Sequence, residues 1–513
     1  MMNPLIPLMV AVPLAGGFLI MILGKFVRDL NKYIATLSLL FLVAATLVLM
    51  AGTGNKEAVY RVGGWDNING IPVGIYLVAD GLSAIVLCII NIVGLLSVIY
   101  SFTYISRYRS ENNYYALFCL MVAGMNGVVL SGDIFNIFVF LEIAAISSYA
   151  LVAFGVGRTE LEATFKYQIL GGMASLIILF GIGFIYWRTK TLNIADIRSV
   201  MGSETGKPIY LLVQMLLLCG FGLKAAVIPF HAWLPDAHSS APSPISAMLS
   251  GVLIKAVGIY VLIRLFFNMF TISNETAVLI TTLGALSMVF GVFLAIGQWD
   301  IKRLLAYHSI SQMGYVVMSA GMGMILLSKG IKPEVAALAI AGGLFHLINH
   351  AAFKSLLFLN AGAIEYRTGT RDLKEMGGLA GLMPATYSSS LVASMSISGI
   401  PPFNGFFSKL IIIIAAIMAK FYLLAVIAVL VSIITLASFL KFQRYAFYNR
   451  EAAKTGNNIR EVPFPMVLSM VIMALFCILL SLVAIPQIRD VVLTPAVNVL
   501  IDPQLYTSPI LGM

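Results

Sequence analysis

The chain has 513 residues, of which 60% are hydrophobic and 11% charged, about half the charge of an ordinary soluble domain. That composition excludes a water-soluble fold and places the chain in a membrane. In this setting the formal charge of +10 points to basic loops facing anionic lipid and the cytoplasm, not to nucleic acid.

Apolar runs of about 20 residues or more recur from end to end, the length of a helical crossing. Backbone groups in hydrocarbon must be satisfied within their own segment, so these runs read as helices and not as barrel strands. Residues 1–24 carry no basic n-region and no clear cleavage site, and read as a first membrane helix, not a removed signal. The expected spans are 3–24, 33–51, 74–101, 113–131, 134–155, 164–187, 209–231, 242–268, 276–297, 301–327, 335–365, 382–418, 421–446 and 463–484. The expectation is an all-α polytopic membrane protein of about 14 transmembrane helices.

Two of these runs, 335–365 and 382–418, exceed one crossing and must tilt, bend or break. In "SGIPPFNGFFSKL" (398–410), Pro401 and Pro402 remove two amide donors and break the helical ladder. A second break is expected in "KAAVIPFHAWLPDAHSSAPSP" (224–244), punctuated by Pro229, Pro235, Pro242 and Pro244.

Basic residues crowd alternate loops: Lys25, Arg28, Lys32, Arg107, Arg109, Lys302, Arg303, Arg367, Arg371, Lys374, Arg444, Arg450, Lys454 and Arg460. The opposite loops hold fewer, chiefly Lys56, Arg61, Arg188, Lys190, Arg198 and Lys207. The positive-inside tendency then puts both termini on the outer face, with the loop 188–208 arguing the other way.

Helices four to eight and nine to thirteen form two blocks of five, each with an Ile-Pro break beside a lysine. An odd number of helices per block inverts the second copy, the arrangement of many transporters with discontinuous helices at mid-depth. The expected organisation is three N-terminal helices (1–112), two inverted five-helix repeats (113–268 and 269–446) with discontinuous seventh and twelfth helices, and a loop, final helix and short tail (447–513).

Ionisable residues inside spans are costly and mark ion pathways. Glu142, Lys224, Lys255, Lys354 and Lys409 stand in five different apolar runs. Two bland readings compete: snorkelling of lysines to the headgroups, above all for Lys255 and Lys409, and static ion pairs that only fix packing. His346, His350 and Lys354 are spaced by four and share one helix stripe. Two histidines so spaced could bind zinc, but no third ligand is evident and the lysine would repel the metal. A stripe facing internal water fits better, since histidine titrates near neutral pH and a desolvated lysine can approach it. The physical reading is a proton path, with Glu142 close to Lys224 holding that lysine charged, and with the broken helices letting water reach Lys409.

Other polar residues carry less. Asp80 reads as a helix cap or a member of the path, and Asp133, Glu162, Lys166, Asp236, His231 and His238 as interfacial or capping groups. In "WDIKRLLAYHSISQMGY" (299–315), Asp300 suits a helix N-terminus, Lys302 and Arg303 a basic face, and His308 a link from solvent to the path. Cys88, Cys119, Cys219 and Cys477 lie in separate apolar runs without a CxxC pair, so no metal, haem or iron–sulfur site is expected. Neither a phosphate-cradling glycine loop nor a nucleophile triad is present, and no cofactor is expected.

Several motifs in order resemble one family. They are "FNIFVFLEIAAISSYAL", "EATFKYQILGGMASLIILFGIGFIY", "LKAAVIPFHAWLPDAHSSAPSPISAMLSGVLIKAVGIY", "DIKRLLAYHSISQMGY" and "SGIPPFNGFFSKL". The chain resembles the antiporter-like membrane subunits shared by respiratory complex I, Mrp-type cation/proton antiporters and energy-converting membrane-bound hydrogenases, most strongly over 110–425. The resemblance implies that Glu142 and Lys224 form the family's glutamate–lysine pair and that Lys255 is its central lysine. His346, His350 and Lys354 would be the polar stretch of the eleventh helix, and Lys409 the terminal lysine of the broken twelfth. It also implies no redox cofactor in this chain, and partners that are other membrane subunits. The ion would be the proton, with sodium left open. Lys409 and the short stretch after the last helix favour the Mrp D-type branch over members with a long lateral helix. A quinone-linked complex I-type subunit, a self-contained solute permease and a scaffold without its own ion path remain the rivals.

Overall fold

Hydrocarbon offers a backbone no hydrogen bonds, and the chain answers with helices throughout its apolar runs. The computed structural model describes residues 3–27, 29–52, 57–65, 72, 74–108, 110–202, 207–449 and 459–512. Of the basic loop residues that set the expected orientation, Arg28, Lys56, Arg109, Arg450 and Lys454 lie outside the described residues.

Among the described residues, 12 helices are long and apolar enough to cross a membrane. They are α1 (Leu5–Leu23), α2 (Leu30–Gly52), α3 (Gly81–Tyr104), α4 (Glu111–Leu130), α5 (Ile134–Val152), α6 (Arg158–Thr189), α10 (Ser243–Met269), α11 (Asn274–Ile296), α12 (Ile301–Ser328), α13 (Pro333–Thr368), α16 (Tyr422–Gln443) and α17 (Phe464–Leu479). The remaining expected spans are filled by two shorter apolar helices, α8 (Pro208–Lys224) and α15 (Asn404–Met418), the second preceded by the serine-rich α14 (Pro384–Ser398). Two short helices, α7 (Ile194–Met201) and α9 (Leu234–Ser240), lie between crossings. Three more, α18 (Pro486–Val492), α19 (Thr494–Ile501) and α20 (Pro503–Leu511), follow the last one.

The third span starts later than its hydropathy suggests. Tyr76–Ala79 is a strand, paired antiparallel with Ala58–Arg61. Tyr76 and Val78 suit a strand. Asp80 then starts α3 through a reciprocal cap: Ser83 N–H donates to Asp80 Oδ1 at 2.8 Å, and Asp80 N–H to Ser83 Oγ at 2.7 Å.

Both expected breaks are present. Helix α8 ends at Lys224, and the Trp233 ring N–H donates to Leu223 O at 2.9 Å, adding a side-chain bond to a carbonyl of the last turn. Helix α14 ends at Gly399, whose φ of +77° is the left-handed cap geometry that favours glycine. At Gly405 a Cβ would strike the Ser396 carbonyl oxygen, so the two half-helices approach as closely as glycine allows.

Helix α10 is one rod but not one geometry. It runs through π-helical stretches at Leu249–Leu253, Lys255–Tyr260 and Leu265–Met269. With α12 and α13 it forms the buried centre, while α6 and α16 show apolar side chains such as Phe165, Phe180, Trp187, Leu423 and Ile433 on the outside. Several helix C-termini are capped by cations from elsewhere in the chain, matching positive charge to unpaired carbonyls. Lys441 Nζ donates to Ile296 O and Gln298 O at 2.6 and 2.7 Å. Lys332 Nζ does so to Met418 O at 2.6 Å, and Arg198 to Phe270 O at 2.9 Å.

Candidate functional site

The expected site residues fall into three groups. The first lies where α5, α6 and the end of α8 meet. Glu142 projects from α5, and Lys224 is the last residue of α8. Lys224 Nζ stands 3.4 Å from Glu142 Oε1, with the lysine side chain 4% exposed and the glutamate 28%. The Ser175 hydroxyl of α6 donates to the same carboxylate oxygen. Tyr167 stacks on Trp233 with ring centroids 4.4 Å apart, bracing the break beside Lys224.

The second group is central. Lys255 is fully buried, and its ammonium donates to Ser250 O at 2.7 Å, a carbonyl five residues back in the widened turns of α10. Ser250 Oγ lies 2.6 Å from Ser309 Oγ of α12. On α13, His350 and Lys354 are fully buried. Neither ring nitrogen of His350 has a hydrogen-bond partner among the described residues, nor does Lys354 Nζ. The two helices touch beside these residues, where Ser355 Oγ of α13 donates to Ala247 O of α10 at 3.2 Å.

The third group surrounds the second break. His346 meets Ser408 through Nδ1 at 3.0 Å and Gln312 through Nε2 at 3.2 Å. Lys409, one residue past Ser408, donates to Ile397 O at 2.7 Å and to Ser432 Oγ at 3.2 Å. The Tyr315 ring bridges the two, 5.3 Å from the His346 ring and 5.2 Å from Lys409 Nζ. Lys255 and Lys409 therefore do not snorkel; both heads stay inside the bundle on backbone carbonyls.

The structure joins Glu142 to Lys224, and His346 to the Ser408–Lys409 turn. It places no direct hydrogen bond between the three groups among the described residues. Two expectations fail. His238 is not interfacial: α9 tucks it between the edges of Trp233 and Phe358, fully buried. Lys302 is not on an outer basic face. It is 2% exposed, paired with Glu365 at 3.0 Å, and donates to Ala241 O at 3.2 Å, where α9 ends. Asp236 is partly exposed, and it ties Lys166 and Arg303 together at 3.0 and 2.8 Å.

Sequence reasoning missed the neutral partners: Ser175, Gln312, Tyr315, Ser408 and Ser432. Hydroxyls in apolar runs are too common to stand out. It also missed Arg264. This fully buried side chain pairs with Asp80 at 2.7 Å, and Asp80 also caps α3 as expected. Tyr260 and Asn268, one turn either side of Arg264, accept from its guanidinium, and the Tyr506 ring lies 4.8 Å from it. The signal was an arginine inside a span, which membrane energetics makes notable by itself.

The chain as a whole is similar in sequence and fold to known proteins. A family model described as NADH:quinone oxidoreductase/Mrp antiporter, TM matches residues 131–435. One described as NADH-Ubiquinone oxidoreductase (complex I), chain 5 N-terminus matches residues 65–115. The chain is 33% identical to the D-type polypeptide of the Na(+)/H(+) antiporter of Alkalihalophilus pseudofirmus, over 97% of this chain and 99% of that one. It is also 33% identical to the N-type polypeptide of the NADH-quinone oxidoreductase of Desulforudis audaxviator, over 84% and 86%. A chain of the Mrp complex from Dietzia sp. DQ12-45-1b superposes with a TM-score of 0.88 at 27% identity, covering 99% of both chains. A chain of the archaeal membrane-bound sulfane sulfur reductase does so with the same score at 26% identity, covering 99% of this chain and 100% of that one. The chain belongs to the NADH:quinone oxidoreductase/Mrp antiporter transmembrane family and is an antiporter-like, multi-pass membrane subunit.

Proposed function

We propose that this chain is the proton-translocating subunit of a multisubunit membrane complex, moving protons along Glu142, Lys224, Lys255, His350, Lys354, His346 and Lys409. The observation that carries the reading is the central group. His350 and Lys354 are wholly buried, and their polar nitrogens have no hydrogen-bond partner among the described residues. Buried polar groups are hydrogen-bonded almost without exception, so water must reach these nitrogens. Water beside them also supplies the relay that the gaps between the three groups require.

Each lysine exchanges a proton with water or histidine, and no bond other than O–H or N–H changes. Glu142 favours the charged form of Lys224 while the pair is closed. When the carboxylate is drawn away or neutralised, burial alone acts on the ammonium, and a desolvated lysine parts with its proton readily. Ser408 and Gln312 orient His346 so that its two ring nitrogens face different neighbours, as a two-sided carrier requires.

The inverted two-block arrangement over 113–268 and 269–446, with 1–112 and 447–513 outside it, fits this reading, because each block ends near a broken helix with its lysine. The partners are other membrane subunits, as the named relatives imply, and the setting is the cell membrane with both termini on its outer face. Sodium would cross at a neighbouring polypeptide or through this one. Among the described residues, no three His, Cys, Asp or Glu side chains are grouped to hold a metal ion.

The test is proton movement in vesicles carrying the intact complex. Lys224→Ala is expected to abolish coupled proton movement while the complex still assembles. Full coupling in that variant overturns the reading and favours a scaffold of static charges.

A further inference from the structure

Helix α14 lacks a cap of its own. It starts with Pro384 in the first position after Met383, a residue with no capping oxygen, and no side chain at that N-cap accepts a hydrogen bond. The first amides of a helix need acceptors, and an anion suits them best. They are met by a residue 75 positions further on. The Glu461 carboxylate accepts from Ala385 N–H at 2.8 Å, from Thr386 N–H at 3.2 Å and from the Thr386 hydroxyl at 2.6 Å. Its own next amide, Val462 N–H, closes the shell at 3.0 Å. The backbone carbonyl of Glu461 accepts from Arg367, in the last turn of α13. One residue thus ties the end of α13, which carries His346, His350 and Lys354, to the start of α14.

The other end of α14 is the cradle of Lys409. Its carbonyl at Ile397 accepts from the ammonium at 2.7 Å, and Ser398 O accepts from Ser432, the second group on that ammonium. A 15-residue helix is a stiff rod of about 22 Å, so a shift at its capped end is carried to the carbonyls at the other. We propose that Glu461 is a positioning residue for Lys409: it sets α14 against α13 from the far end of the rod, and so fixes where the lysine ammonium rests. This rests on the reading of Lys409 as a proton carrier. It adds that the segment before α17, which crosses neither block, governs the geometry at the second break.

The experiment uses the intact complex in vesicles and follows proton movement against pH for Glu461→Ala, Glu461→Gln and Lys409→Ala. Glu461→Ala is expected to assemble, to lower the rate by about tenfold, as misplacement of a reacting group does, and to move the pH profile by about half a unit or more. Glu461→Gln keeps one acceptor oxygen and should fall between it and the unaltered protein. An unchanged rate and profile in Glu461→Ala, with Lys409→Ala inactive, overturns the positioning role alone. An active Lys409→Ala overturns the underlying reading of Lys409. Loss of assembly in both Glu461 variants also overturns the proposal, since it makes Glu461 a residue of assembly. A lowered rate with an unmoved profile does so too, by reducing it to a general packing contact.

Discussion

The two broken helices solve one problem with opposite chemistry. Each places a lysine beside chain that has left the helical ladder. At the first break, Lys224 meets a carboxylate, Glu142, at 3.4 Å. At the second, Lys409 meets a carbonyl and a hydroxyl, at 2.7 and 3.2 Å, under the Tyr315 ring. A charge is held by a charge in one case and by neutral dipoles in the other. The first lysine therefore answers to anything that moves or neutralises its partner, while the second answers to the position of the backbone around it. One break reads electrostatics and the other reads geometry.

That contrast can be broken in order of effect. Glu142→Gln removes the charge and leaves the shape. It should lower coupled proton movement more than any other change named here, because it leaves the buried Lys224 ammonium without its counter-charge; vesicle transport assays check this. Gly399→Ala acts on geometry alone. It puts a side chain where φ is +77°, with its Cβ 3.1 Å from Lys409 Cδ, and should cost about 1–2 kcal/mol in stability with a partial loss of transport. Thermal unfolding of the purified complex measures the first and transport the second. Ser432→Ala removes one of two neutral acceptors from Lys409 and should cost about 1 kcal/mol or less, a few-fold change in rate. A Ser432→Ala effect as large as that of Glu142→Gln would erase the distinction between the breaks.

The crossings were legible because hydropathy and length act locally. The breaks were legible because proline and glycine act locally too: both fall where Pro229 and the Pro401–Pro402 pair predict. The third crossing was misread at its start, since Tyr76 to Ala79 are as apolar as a helix and only pairing with Ala58–Arg61 makes them a strand. Glu142, Lys224 and the lysines of the core were legible as expensive charges in lipid. Their immediate partners were not. Ser175, Gln312 and Ser432 are ordinary residues, and the Asp80–Arg264 pair joins positions 184 apart. Lys255 shows the limit most clearly. Its apolar surroundings were plain, but its acceptor, Ser250 O, is reached across widened turns that no periodicity in "LSGVLIKAVGIYVL" announces.

Those widened turns in α10 leave this stretch sensitive to changes in length and in side-chain size alike. Removing a single residue between Lys255 and Tyr260 would change the angular setting of everything beyond it. Arg264 would swing off Asp80, stranding two opposite charges inside the bundle. Nor is the rod free to add bulk: a Cβ at Gly258 would meet the Ala225 backbone at 2.7 Å.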